Sequence, residues 1–444
     1  MITDGETPHS AAPHWASRPL IIAAVLTGFV LRLAFGLGYW VDKPLTLDER
    51  EYLLVAQNVA AGRGFNDRLP DGSSPPGAHV GRAPLYPLFL AFVMRATGEG
   101  ITMTGASADA TIAVSPTLLK AVKIVQAGLG LVTIWLIALL AFRAAGPKAA
   151  TIAAWLAAVY PPLVWTPAYV FSETLYSALA LGCVAVIDRA LQRRTLASIA
   201  TPVATNGFRA WGFVAAGALA GLAVLTRPAM LFFLGLAVPW LWWKRGLLAA
   251  ACLLAASALT IAPWTLRNVA EHGRFVLVAS EGGVTFWTGN HPLARGEGDL
   301  AANLELKQAN LDFRAAHPGL SPEQLEPLYY REALSWIAGN PSQFAWLLAR
   351  KAFYTMVPIG PSYQLHSSRY FWSSIIAYLA VLPFGLLGLV RRAGAVQPLL
   401  VLAAASILVC LVFFPQERFR IPIIDPTLLV CAASWWAPRG NSLT

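Results

Sequence analysis

The chain has 444 residues, 57% hydrophobic and only 13% charged, with a mean hydropathy of +0.56 and a formal charge of +10. That balance excludes a soluble globular domain, and repeated apolar runs of about 20 residues indicate a polytopic membrane protein. The positive charge does not indicate a nucleic-acid partner, because Lys and Arg are scattered at the ends of apolar segments, as the positive-inside rule and lipid headgroups produce.

The first 18 residues are polar, and Leu20 to Trp40 is too long for a signal-peptide core. We read it as a retained first span. The apolar runs predict ten spans: 19–40, 116–142, 149–167, 169–190, 210–226, 228–243, 246–265, 368–390, 397–414 and 420–437. The expected organisation is a cytoplasmic N-terminus (1–18), a single all-α transmembrane domain (19–437) and a cytoplasmic tail (438–444). With the N-terminus inside, the inner segments carry Arg18, Arg143, Lys148, Arg189, Arg193, Arg194, Arg209, Lys244, Arg245, Arg391, Arg392 and Arg439, and almost no acids. That is the charge bias expected of cytoplasmic loops. Two long segments, 41–115 and 267–367, then fall outside, where function is expected. Cys183, Cys252, Cys410 and Cys431 all lie in apolar runs without metal or disulfide spacing, and read as small buried thiols.

The first outer segment opens with TLDEREYLLVAQNVAAGRGF, residues 46–65. Thr46 and Glu49 fit a capping box, Asp48 suits the positive end of a helix, and Gly62 suits its stop. An amphipathic helix is predicted over 47–61, with Tyr52, Val55, Ala56, Val59 and Ala60 on one side lying on the membrane. Capping alone would account for the acids. The functional alternative is that Asp48 or Glu49 faces an outer cavity as a base. Residues 84–97 and 341–357 read as interfacial helices. Counting 341–357 as a span would invert the last three helices and spoil the charge pattern.

Glu173, at the outer start of the fourth span, lies near the same level as Asp48 and is a second candidate acid. Arg82, Arg227, Arg267, Arg418 and Arg420 recur there too. Each alone could snorkel to headgroups, but several converging suit a phosphate, whose oxygens guanidinium binds bidentately. Arg32 sits about 12 Å below the outer end of the first span and should face the bundle or a wet cavity. His79, His272, His291, His317 and His366 could join Asp48 and Glu173 in a divalent-metal site, but no pair has ligand spacing, and no cofactor is assigned. Residues 273–292 form a Gly- and aromatic-rich loop in which Phe286 and Trp287 could stack on a sugar. Trp287, Asn290 and His291, with Tyr86 of the 84–97 helix, are the candidate sugar or acceptor contacts.

Taken together, LDEREYLLVAQNVAAGRGF, GRAPLYPLFLAF, SETLYSALAL, LTRPAMLF, PWTLRNVAEHGRFVLVASEGGVTFWTGNHP and ERFRIPIIDPTLL resemble, in this order, the bacterial protein-mannosyltransferase-type family. These are integral-membrane glycosyltransferases of the GT-C fold, including lipid A aminoarabinose transferases. The resemblance implies transfer of a sugar from a polyprenyl-phosphate donor to a lipid, glycan or protein acceptor on the outer face of the cytoplasmic membrane. It implies that the acidic pair Asp48 and Glu49 supplies the base, with Asp48 preferred. It also implies that Glu173 lies on the acceptor or metal side and that the family's basic residues near the donor phosphate correspond to Arg227, Arg267, Arg418 or Arg420. Larger members carry a folded outer C-terminal domain. This chain stops shortly after the tenth span, so acceptor recognition is expected from the loops. A lipid or solute transporter is the alternative reading, but transporters place ionisable groups near the midplane, where only Arg32 is deep. A non-catalytic scaffold would leave the acids and arginines unexplained.

Overall fold

A computed structural model describes residues 19–68, 81–104, 111–192, 202–298, 300–359 and 367–437, with the side chains of 103, 104, 111, 192 and 202–209 left aside. His79, His366, Arg18, Arg193, Arg194, Arg439 and the side chain of Arg209 lie outside this description, as do the two expected cytoplasmic tails.

Among the described residues the architecture is all-α and polytopic, as expected, with one short antiparallel hairpin, Ile101–Thr104 against Thr111–Val114. Among the described residues five helices are long and apolar enough to cross a membrane: Pro19–Tyr39, Pro116–Val159, Glu173–Leu191, Leu247–His272 and Ser368–Ala395. The other expected spans form the shorter or less apolar helices Pro202–Thr226, Met230–Arg245, Gln397–Val412 and Ile424–Trp436. We label the elements used below α1 (Pro19–Leu33, continued by a π turn to Tyr39), α2 (Leu47–Ala60), α3 (Leu85–Thr97), α4 (Pro116–Val159) and α5 (Pro161–Trp165). The rest are α6 (Glu173–Gln192), α7 (Gly282–Gly289), α8 (Pro341–Met356), α9 (Gln397–Val412) and α10 (Glu417–Arg420).

Two of the expected spans lie in the 44-residue α4, which breaks at Ala145 and Gly146, the glycine at φ 82°. Such a backbone suits glycine, and Pro147 restarts the helix. The chain doubles back there, since a Cβ on Gly28 of α1 would meet both Ile134 and Ala158, on opposite sides of the break. The span expected at 149–167 is corrected accordingly. Its helix ends at Val159, and the turn α5 and a 3-10 turn, Thr166–Ala168, complete it. The reason is Pro161-Pro162, which cannot donate to the carbonyls of Ala157 and Ala158.

Arg32 fills that gap. It is buried, and Nη2 donates to Ala157 O at 3.3 Å and Nη1 to Ala158 O at 3.5 Å and Gly28 O at 2.9 Å. Gly130 makes room, because a Cβ there would stand 2.6 Å from Arg32 Nε. A cation on a helix C-terminus is also favoured by the helix dipole. Lys351 of α8 does the same elsewhere: fully buried, it donates to Leu411 O at 3.1 Å, a carbonyl that Pro415 cannot serve, and to Asn290 Oδ1 at 2.8 Å. At the opposite end of the bundle Arg143, Arg245 and Arg391 donate to Ala185, Leu191 and Trp435 carbonyls at 2.6, 2.6 and 3.2 Å.

The capping box on α2 forms as read: Glu49 N donates to Thr46 Oγ1 at 3.3 Å and Thr46 N to Glu49 Oε2 at 2.8 Å. The apolar face of α2 is a correction. Tyr52, Leu53 and Ala56 pack on Tyr86, Leu90, Leu118, Val122 and Val170 in a core of their own, so this face meets α3, α4 and the segment before α6 instead of lipid. Phe92 on α3 is exposed, consistent with a helix lying at an interface. The loop expected over 273–292 contains the helix α7.

Arg32→Ala should strip two carbonyls of their partner and leave a void. We expect a loss of about 2–4 kcal/mol in detergent unfolding, with Arg32→Lys recovering part of it and Leu26→Ala, on the exposed face of α1, having little effect.

Candidate active site

The capping box aims the first turn of α2 at the loop-bearing end of the bundle, and Asp48 projects from that turn. Two guanidiniums meet its carboxylate. Arg82, from the strand-like approach to α3, reaches Oδ1 at 2.6 Å, and Arg418 of α10 reaches Oδ2 at 2.5 Å. Arg82 also pairs with Glu51, one turn further along α2, its Nε donating to Glu51 Oε2 at 2.9 Å, and with Glu281, just before α7, at 3.2 Å. Arg82 therefore serves three carboxylates from two elements, and its guanidinium lies 5.0 Å from the Tyr52 ring centre. Beside this cluster Arg227 pairs with the buried Glu173 at 2.6 Å, and its Nη1 donates to Ser172 Oγ at 3.4 Å. Arg227 and Arg418 both lie over the Phe419 ring, at 4.9 and 5.3 Å.

These groups border a cavity of about 840 Å³. One part of its wall is polar, with Asp48, Arg82, Arg227, Arg418 and Glu281. Another is aromatic and aliphatic, with Phe232, Phe233, Phe286, Leu402, Ala405, Val409, Val412 and Phe413. A single cavity with a cationic end and a greasy wall is suited to an amphiphile with an anionic headgroup.

Burial alone would raise the Asp48 pKa, but the Arg418 and Arg82 charges more than reverse this and hold the carboxyl well below the usual carboxylate range. Burial likewise opposes the Arg82 and Arg418 charges, and their carboxylate neighbours more than restore them. Glu51 behaves differently: burial dominates, Arg82 offsets it in part, Asp48 and Glu281 add to it, and the pKa is pushed up to about 7.

The structure brings together Asp48, Arg82, Arg227 and Arg418, with Glu173 directly behind Arg227. It sets the other sequence candidates apart. Glu49 gives Oε2 to Thr46, and its Oε1 accepts from Val170 N at 2.9 Å. Arg267 lies against Trp264 and Phe65, with guanidinium-to-ring distances of 5.1 and 6.0 Å. Arg420 is buried, 2.8 Å from Asp425 and 4.0 Å from the Tyr378 ring centre. Tyr86 is buried and donates to Gln126 Oε1 at 2.9 Å. Trp287, Asn290 and His291 line a second groove, of about 660 Å³, with Phe313, His317 and Trp336. There Trp287 Nε1 donates to Glu332 at 3.1 Å, and the Asn290 amide donates to Val412 O at 2.9 Å. Among the described residues no three His, Cys, Asp or Glu side chains are grouped so as to hold a metal ion.

Glu51 and Glu281 were not singled out by sequence reasoning. Glu51 is spelled within the acidic run and reads as a solvated helix charge; its period of three from Asp48, which places both on one face, was the available signal. The aromatic wall reads as ordinary span.

Arg82→Gln should destabilise the protein more than Arg418→Gln, because the first leaves three carboxylates without their shared cation and the second leaves Asp48 one partner. A loss of about 3–5 kcal/mol is expected for Arg82→Gln, read by denaturant unfolding in detergent at neutral pH.

No protein-family model and no curated protein sequence matches the chain. Its structure is similar to that of the oligosaccharyltransferase of Archaeoglobus fulgidus tethered to an acceptor peptide, with a TM-score of 0.55, 15% identity, and coverage of 95% of this chain and 50% of that one. The archaeal oligosaccharyltransferase AglB of the same organism, solved with an inhibitory peptide and a dolichol-phosphate, gives the same figures. ArnT from Cupriavidus metallidurans bound to undecaprenyl phosphate aligns over 96% of this chain and 78% of its own at 15% identity, but its TM-score of 0.41 adds nothing to the assignment. The chain spans about half the length of the oligosaccharyltransferases it matches. The likeness shows the fold: an all-α, polytopic membrane fold shared with these oligosaccharyltransferases, as the sequence led us to expect.

Proposed function

We propose that the protein is an inverting glycosyltransferase that moves a sugar from a polyprenyl-phosphate-linked donor to an acceptor hydroxyl, with Asp48 as base. The observation that carries this reading is the cavity itself: Asp48 stands beside Arg82, Arg227 and Arg418 in its wall, and aromatic and aliphatic side chains line the rest of the same cavity. The dolichol-phosphate in a protein of the same fold supports this class of donor. The acceptor is a lipid, glycan or protein of the envelope, and the site faces the outer side of the cytoplasmic membrane, the orientation favoured by the basic inner loops.

The chemistry needs few groups. The acceptor oxygen attacks the anomeric carbon, the bond from that carbon to the phosphate oxygen breaks, and the acceptor proton passes to Asp48. Phosphate leaves without a general acid if cations meet the charge it gains. Displacement from the face opposite the phosphate inverts the anomeric centre. In the free protein Asp48 is a weak base, because two guanidiniums hold its proton affinity down. A donor phosphate that draws Arg82 toward itself relieves this in part, while Arg418 stays on Asp48 and keeps it ionised. Donor binding therefore precedes activation of the acceptor. Arg227, held by Glu173, is positioned to share the leaving charge.

Asp48→Asn keeps the shape and removes the base. Transfer from a lipid-linked sugar by the purified variant should fall by about 10²-fold or more, with donor still bound. A folded variant turning over near the normal rate would remove Asp48 from this role.

A further inference from the structure

We propose that Glu51 is a positioning residue that holds Arg82 in the empty site and takes up a proton when the anionic headgroup of the donor draws Arg82 away. The inference rests on the donor class proposed above and concerns a residue to which that reading gives no part.

Arg82 and Arg418 are two cations facing Asp48, Glu51 and Glu281, so this part of the site carries an excess negative charge when all three acids are ionised. A phosphodiester adds another. The three carboxylates are not equally able to absorb the change. Asp48 keeps Arg418, which holds it ionised. The Glu281 side chain is about a third exposed, at 32%, and solvent can stabilise it. Glu51 has neither resource. Its side chain is 8% exposed, Arg82 is its only cation among the described residues, and its second oxygen, Oε1, is buried without a hydrogen-bond partner. The charged groups facing it are Arg82 from the approach to α3, Asp48 from its own helix and Glu281 from the start of α7. Once Arg82 turns toward a phosphate, only like charges remain, and a buried carboxylate in that position takes a proton.

The pH range follows from Glu51 in the empty site, where burial has already raised its pKa to about 7. Below that pH Glu51 is protonated before the donor arrives, and binding moves no proton. Above it Glu51 is ionised, so binding must take a proton from solution, and donor affinity falls by up to about tenfold for each further pH unit. Glu51→Gln mimics the protonated form and removes the dependence.

The test is calorimetric binding of a short-chain polyprenyl-phospho-sugar to the purified full chain in detergent, at about pH 6 and about pH 8, in buffers of different ionisation enthalpy. This probe is a phosphodiester and does not titrate in that range. We expect uptake of close to one proton at the higher pH, affinity about 5- to 10-fold weaker there, and neither effect in Glu51→Gln. Binding with equal affinity and no proton uptake at both pH values overturns the role of Glu51 and leaves the donor assignment standing. No binding at either pH overturns both. If Glu51→Gln does not fold, the wild-type proton count decides alone.

Discussion

One guanidinium ties the candidate site together. Arg82 is bonded to Asp48 and Glu51 on α2 and to Glu281 at the head of α7, and its face lies against Tyr52. These elements come from the first and second long loops, far apart in sequence. Because the cluster borders a cavity in place of bulk water, the attractions are stronger than those of surface pairs, and leaving one acid unpaired costs more. The same ties that assemble the loops thus set the proton affinities within them. Asp48 is held ionised and quiet, and Glu51 is held near neutrality.

Much of this was legible in the sequence where the determinants are local. Thr46 and Glu49 spell a capping box, and they make one. The apolar runs give the spans, because a helix that must bury itself in lipid needs a length that can be counted. Asp48, Arg82, Arg227 and Arg418 could be picked out as charges at one membrane level. What could not be read is which charge meets which. Arg267 and Arg420 stand at similar levels by sequence, yet one lies on aromatic rings and the other is buried against Asp425. Asn290 and Trp287 line a groove separate from the Asp48 cavity, and the fold also uses their polar groups on Val412 O and Glu332. The membrane-facing reading of α2 failed for a related reason: periodicity shows that a helix has an apolar face, but not whether lipid or protein covers it.

A second theme concerns proline in an environment with no water to spare. Pro161, Pro162 and Pro415 each deprive a carbonyl of its helical donor, and Arg32 and Lys351 reach across from other helices to supply one. The break before Pro415 ends α9 at the cavity wall, which Val412 and Phe413 line.

Arg32 carries a consequence for the order of biogenesis. Its partners, Ala157 and Ala158, lie past the break at Gly146, so they do not yet exist in folded form when the first span leaves the ribosome. Until the third span arrives, α1 holds a cation in the bilayer with only Gly28 of its own helix to receive it, a penalty of about 2.5–3.5 kcal/mol on insertion scales. The first span is therefore a provisional tenant of the membrane, made permanent when the α4 hairpin closes on it.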